Sequence, residues 1–180
     1  LEIAGISIRI MNAFDPSHSG TLITKGYICP QLKTEVVTGS DSVTCIEIHD
    51  TRMVGEVGFD MKIMVVLEKH GVSYINKATN ANTIDMVVSQ KDVSTALINE
   101  LKSQFENVNV QELAIVCAIG SNIAKPGILA KATKALADDN INILTVSQTS
   151  RQTNMQFTVD RDHFVLAQRA LHRALCEEDS

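Results

Sequence analysis

The feature that most constrains this chain is a unit written twice, about 70 residues apart. In the first copy an apolar run, Thr44-Cys45-Ile46-Glu47-Ile48, leads through a loop to Gly58. Phe59, Ile63, Val66 and Leu67 follow at helical spacing, then Gly71-Val72-Ser73-Tyr74-Ile75. In the second copy Ala114-Ile115-Val116-Cys117-Ala118 leads to Gly127, then Ile128, Leu129, Ala132, Ala135 and Leu136, then Asn140-Ile141-Asn142-Ile143-Leu144. Gly58 matches Gly127 and Leu67 matches Leu136, both at an offset of 69. A fixed period of this size marks a repeated supersecondary unit, and a unit so small buries its apolar face against a neighbour.

Each copy continues alike. Ser73 to Ala78 and Ile84 to Ser89 form two β-prone runs in the first, Ile141 to Gln148 and Met155 to Asp160 in the second. Their connectors carry Asn80, Asn82, Arg151 and Asn154, so each pair reads as a hairpin. Asp92 is then expected to cap a helix with Val93, Ala96, Leu97, Leu101 and Phe105 on one face, and Asp162 one with Phe164, Ala167, Leu171 and Leu175. Val108-Asn109-Val110-Gln111 supplies a last strand and completes βαββαβ, the ferredoxin-like order. The second copy runs out at Glu177-Glu178-Asp179-Ser180, a polar tail with no strand in it. Its missing strand must come from elsewhere, and Lys33-Thr34-Glu35-Val36-Val37-Thr38 is the free candidate. The expected fold class is therefore α+β: two ferredoxin-like units, the first inserted into the second.

Composition narrows the function classes. With 44% apolar and 21% charged residues and a mean hydropathy of +0.06, 180 residues suit two small domains and a leader. A domain that small buries only about 60% of its unfolded surface, so the units should pack on each other or on a second chain. No run approaches the ~18 apolar residues of a membrane span and no signal peptide precedes the fold, which points to the cytoplasm and away from membranes. The net charge of −5, the absence of Trp and strands almost free of aromatics argue against nucleic acid. Cys29, Cys45, Cys117 and Cys176 show no C-x-x-C spacing and read as free thiols of a reducing compartment.

Catalytic and metal-binding patterns are missing. There is no glycine-rich phosphate loop with its lysine, no H-E-x-x-H and no G-x-S-x-G. His18, His49, His70, His163 and His172 are scattered, and none has a nucleophile or orienting group that the sequence places beside it. Both copies instead place a glycine-bearing loop before a helix, Met53-Val54-Gly55-Glu56-Val57-Gly58-Phe59 and Ser121-Asn122-Ile123-Ala124-Lys125-Pro126-Gly127-Ile128. Free N–H groups and the positive dipole end at such a start suit the α-carboxylate of an amino acid. A glycine there serves close helix packing equally well.

Longer motifs carry a resemblance. The runs Ala114 to Gly120, Pro126-Gly127-Ile128-Leu129-Ala130-Lys131, Asn140-Ile141-Asn142-Ile143 and Ser147 to Phe157 resemble the second ACT domain of aspartate kinases. Ile6 to Pro16 followed by Gly20-Thr21-Leu22-Ile23 is similar to the strand and loop that end the kinase domain in that family. The resemblance covers essentially the whole chain. It implies that 1–31 closes a kinase domain and forms a linker, that 43–112 is ACT domain 1, and that 32–42 plus 113–177 is ACT domain 2. It implies an inserted first unit, in agreement with the strand bookkeeping. It also implies that Leu1 opens a regulatory fragment, inactive alone, of an enzyme that phosphorylates the aspartate β-carboxylate for lysine, threonine and methionine synthesis. No cofactor is then expected in this chain, ATP and Mg belonging to the parent enzyme.

The family senses an end-product amino acid between ACT domain 1 and its copy in a second subunit, which implies a homodimer. Carried over, the effector pocket uses Met53, Gly55, Glu56, Gly58, Phe59 and Asp60 from the loop and helix start, with Ser73, Tyr74, Ile75, Thr79 and Asn80 from the second strand. Lysine-inhibited relatives have aspartate where Ile75 stands and glutamate where Ala81 stands. Removing a buried partner of an ammonium costs roughly 2–5 kcal/mol. Of the two effectors considered, threonine and lysine, the expectation favours threonine, unless Glu56 or Asp60 replaces the lost charge. Freedom from lysine control resembles versions dedicated to osmolytes such as ectoine. A ligand-free dimerisation module and a separate subunit acting in trans are the alternatives.

Overall fold

The structure, a computed structural model, describes residues 4–31 and 34–177. A short ribbon, β1 (Ile8–Ile10) with β2 (Thr21–Ile23), precedes the main sheet. The first copy follows with β3 (Val36–His49), α1 (Phe59–Lys69), β4 (Tyr74–Thr79), β5 (Thr83–Ser89) and α2 (Thr95–Gln104). The second has β6 (Asn107–Ile119), α3 (Ile128–Asp138), β7 (Thr145–Ser147), β8 (Asn154–Asp160) and α4 (Phe164–Leu175).

Two long strands join the copies. β3 and β6 pair antiparallel along their lengths, from Val36 opposite Ile119 to His49 opposite Asn107. The register shifts once, between Ser40 and Val43, where β3 carries one residue more than β6 and bulges. The six-stranded order is β4-β5-β3-β6-β8-β7. Read by halves, β6-β3-β5-β4 and β3-β6-β8-β7 each have the ferredoxin-like arrangement. Val36 to Ser40, opposite Ile119 to Ile115, supplies the fourth strand of the second half, so the first unit is inserted into the second.

Side-chain alternation sorts the apolar residues into three cores. Ile46, Ile48 and Met86 meet Ile63, Leu67, Leu97 and Leu101 under α1 and α2. Val116, Ala118 and Phe157 meet Ala132, Leu136, Ala167 and Leu171 under α3 and α4. Each of the larger side chains among these, Val, Leu, Ile, Phe or Met, stabilises by about 1.5–3 kcal/mol on burial. Val43, Cys45, Val87, Leu113 and Ile115 point the other way, yet are buried in a cluster of their own. The outer strands β4 and β7 come into contact. The sheet therefore folds back on itself, packing its two helix-free faces together in four layers, helix, sheet, sheet, helix. This is how units too small to stand alone shelter each other.

Some local expectations are corrected. Asp92 does not cap α2. It lies in a tight turn, Gln90–Asp92, after which Val93 is extended, and Ser94 is the cap, its Oγ accepting from the Leu97 N–H at 3.1 Å. Asp162 lies likewise in the turn Arg161–His163, and α4 starts from His163 without a side-chain cap. Ile141 belongs to the end of α3, its N–H bonded to the Leu136 carbonyl at 2.9 Å, so β7 is only Thr145–Ser147. Lys33, Leu1, Ile3, Glu178, Asp179 and Ser180 lie outside the described residues. None of the four cysteines is in a disulfide. Among the described residues no helix is long and apolar enough to cross a membrane.

Candidate functional site

Where β3 ends, a buried carboxylate sets the course of the loop. Asp50 accepts from the Arg52 N–H at 3.0 Å, from Arg52 Nε at 2.8 Å and from the Glu106 N–H at 3.1 Å, and pairs with the Arg52 guanidinium. The Arg52 side chain holds the Asp50 carboxyl well below the usual carboxylate range, against the opposing effect of burial and with the help of the two backbone donors. The chain then turns through Thr51–Met53, with the Glu56 N–H on the Met53 carbonyl at 3.3 Å. Gly58 (φ 81) caps α1 in the left-handed conformation that favours glycine and offers no side chain to the helix start. The Met61 N–H is bonded to the Gly58 carbonyl at 3.0 Å, and the N–H groups ahead of it in the first turn are left without a capping side chain.

The expected site residues fall into two groups. Met53, Gly55, Glu56, Gly58, Phe59 and Asp60 form the loop and helix start. Phe59 is buried against Phe105, ring centroids 5.5 Å apart, while Val57 is 99% exposed. Thr79 and Asn80 lie at the same end of the sheet, because the Asp50 N–H bonds the Asn82 carbonyl at 3.0 Å and Asn80 Oδ1 accepts from the Thr83 N–H at 3.0 Å. Ser73, Tyr74 and Ile75 lie at the opposite end of β4. Tyr74 pairs with Val88 whereas Thr79 pairs with Ile84, a separation on the order of 17 Å at ~3.3 Å per residue. Ile75 is the extra residue of a bulge in this outer strand, and both Tyr74 and Ile75 are 46% exposed.

Neither acid of the loop is free. Asp60 pairs with Lys77 of β4 and Glu56 with Lys62 of α1. Lys77 was missed in the sequence, although alternation along β4 places it opposite Met86, on the face toward α1. It ties the helix start to the outer strand and adds a positive charge where an effector's amino end would come.

The second copy's loop is built alike and then covered. Ser121 stands where Thr51 stands in the first copy. Its N–H and hydroxyl donate to Glu35 at 2.6 and 2.7 Å, as those of Thr51 donate to Glu106 at 3.1 and 3.0 Å. Gly127 (φ 92) caps α3 as Gly58 caps α1. Here the chain's own residues lie on the loop: the Cys29 N–H donates to Ser121 Oγ at 2.8 Å, and Asn122 Nδ2 donates to the Cys29 carbonyl at 3.0 Å. Cys29 is only 4% exposed. The first loop is open, and the second carries a strap.

Comparison with known proteins agrees with this architecture. A sequence profile of the ACT domain matches residues 116–175, from β6 through α4. Over its full length the chain is 39% identical to the aspartate kinase Ask_Ect of Stutzerimonas stutzeri, of which it spans 38%. The aspartate kinase of Clostridium acetobutylicum superposes with a TM-score of 0.88 at 27% identity, over 97% of this chain and 43% of that one. The ligand-free regulatory subunit of aspartate kinase from Thermus thermophilus superposes with a TM-score of 0.70 over 79% of this chain and 98% of that one. At 17% identity, that last likeness concerns the fold alone.

Proposed function

This chain belongs to the ACT-domain regulatory regions of aspartate kinases, and on that premise we propose that it senses a small amino acid and pairs two kinase subunits. The kinase would phosphorylate the aspartate β-carboxylate for lysine, threonine and methionine synthesis, or for an osmolyte branch such as ectoine. ATP and magnesium would be held by the kinase domain. The 180 residues alone should form no aspartyl phosphate. The leader ribbon favours a chain continuous with that domain over a subunit acting in trans, because it leaves Ile10, Leu22 and a 98%-exposed Phe14 without a core among the described residues.

The observation that carries the sensing reading is the split of the candidate residues. Loop 53–60, apart from the buried Phe59, and Ser73 to Ile75 are both accessible, yet stand at opposite ends of one outer strand. A second copy laid antiparallel along β4 about a two-fold axis would bring its Tyr74 and Ile75 to this chain's loop, closing two equivalent sites. The α-carboxylate would meet the N–H groups at the start of α1. Ile75 and Ala81 offer no acid to an ammonium, Glu56 and Asp60 are already neutralised, and Lys77 repels a cation. The effector should have an uncharged side chain, with threonine ahead of lysine.

Calorimetric titration with threonine, lysine and methionine, alongside sedimentation, tests this. A dimer at micromolar concentration that binds threonine more tightly than lysine is expected. A species of only 19.6 kDa, or tightest binding of lysine, overturns it. A dimer that binds none of the three would be a ligand-free pairing module.

A further inference from the structure

The folding back of the sheet leaves a cavity of about 220 Å³ between its helix-free faces. One wall spans three strands, with Glu47 opposite Asp85 across β3 and β5, and opposite Asn109 across β3 and β6. Cys45 and Gln111 form the next row, and Thr83, Leu113, Leu144 and Thr145 complete the lining.

Glu47 and Asp85 are like charges set directly opposite each other and half-buried, an arrangement that destabilises a sheet unless something neutralises it. Glu47 receives one hydrogen bond, from Asn109 Nδ2 at 3.4 Å. Asp85 has no hydrogen-bond or ion-pair partner among the described residues, and no Lys, Arg or His lines the cavity. Burial, and then the charge of Glu47, push the Asp85 carboxyl up. The adjoining Cys45 thiol is pushed up to about 12 by burial and by the two acids, so it cannot serve as a further anion. His49, one row beyond, is bonded to Thr83 Oγ1 at 3.0 Å.

We propose that this cavity binds a small aliphatic primary amine as its ammonium ion, the head held between Glu47 and Asp85 and the hydrocarbon against Leu113 and Leu144. Ionised carboxylates are acceptor-only, matching the three donors of an ammonium. Polar groups at one end and leucines at the other are the usual make-up of a small-molecule site. At ~30 Å³ per water the space equals about seven waters, which is too large for a bare ion and suits a chain of a few carbons. With no cationic side chain to receive a carboxylate, the cavity does not suit an amino acid. It also lies on the sheet face opposite α1, so the proposal stands apart from the effector reading.

The test is a titration of the 180-residue chain with n-butylammonium chloride, and separately with potassium chloride, read by two-dimensional NMR of the backbone amides. Butylammonium should shift the amides around Glu47, Asp85 and Thr145 saturably, at concentrations where potassium does not. Asp85→Asn and Glu47→Gln should each weaken that response by at least about tenfold while keeping a folded spectrum. Three results would overturn the proposal: an equal response to potassium, no saturable shift, or unchanged affinity in both variants. The first would mean a simple ion site, the second a pair held by a shared proton.

Discussion

Glu35 holds Ser121 as Glu106 holds Thr51, although the whole inserted unit separates Glu35 from its partner. In each half a glutamate just ahead of one shared strand accepts from the backbone N–H and hydroxyl that follow the end of the other. The internal repeat thus extends to individual hydrogen bonds. Truncating Glu35 to Ala removes two charge-assisted bonds at an exposed site and should cost about 1 kcal/mol. The midpoint of urea unfolding should fall accordingly, and Glu106→Ala should lower it by a similar amount.

Gly39 sits where β3 passes into the second half, close to the bulge. A Cβ there would stand 2.2 Å from the Ile115 carbonyl oxygen and 2.9 Å from the Phe164 ring. Since the first obstacle is backbone, Gly39→Ala must push β3 and β6 apart, at about 2 kcal/mol or more. Thermal unfolding should drop by roughly 5 °C. Gly26→Ala, with nothing within 4 Å, is the matched control and should leave the midpoint unmoved.

Asp50 makes the first half sensitive to acid. Its carboxyl lies lower in the folded chain than in the unfolded one, chiefly through Arg52. The stability it contributes is therefore complete above the unfolded pKa of about 3.9 and is lost as pH falls toward the folded value. Asp50→Asn should be less stable at pH 7 and show a shallower loss below about pH 4. Circular dichroism of both proteins across that range decides it.

Ile75→Asp made together with Ala81→Glu supplies two acids near the amino end of the proposed effector. Lysine affinity should rise by at least about tenfold, a conservative share of a charge-assisted contact. Calorimetry showing no gain in the double variant would mean that the effector set is misplaced.

The repeat, the insertion and the glycine-capped helices were legible because each leaves a local mark. Gly58 and Gly127 recur at a fixed offset and both take the left-handed cap. The missing strand was recoverable by counting. The continuity of β3 was not, because Ser40-Asp41-Ser42 has the composition of a loop and only its pairing partner turns it into a bulge. Asp92 and Ser94 are both good caps on paper, and the extended Val93 between them decides the matter. Lys77 and the facing acids Glu47 and Asp85 depend on register, which a single sequence does not reveal.

The shared strands also dictate an order of assembly. All strands and helices of the first half lie between Val43 and Leu113, so that half can close while the rest is still being synthesised. Val36 to Ser40 leaves the ribosome earlier, yet has no place to pair until Ile115 to Ile119 has followed it out, and no roof until α4 is made. Val36 to Ser40 is made before the first half but seated after it, so for this one segment birth order and folding order run opposite to each other.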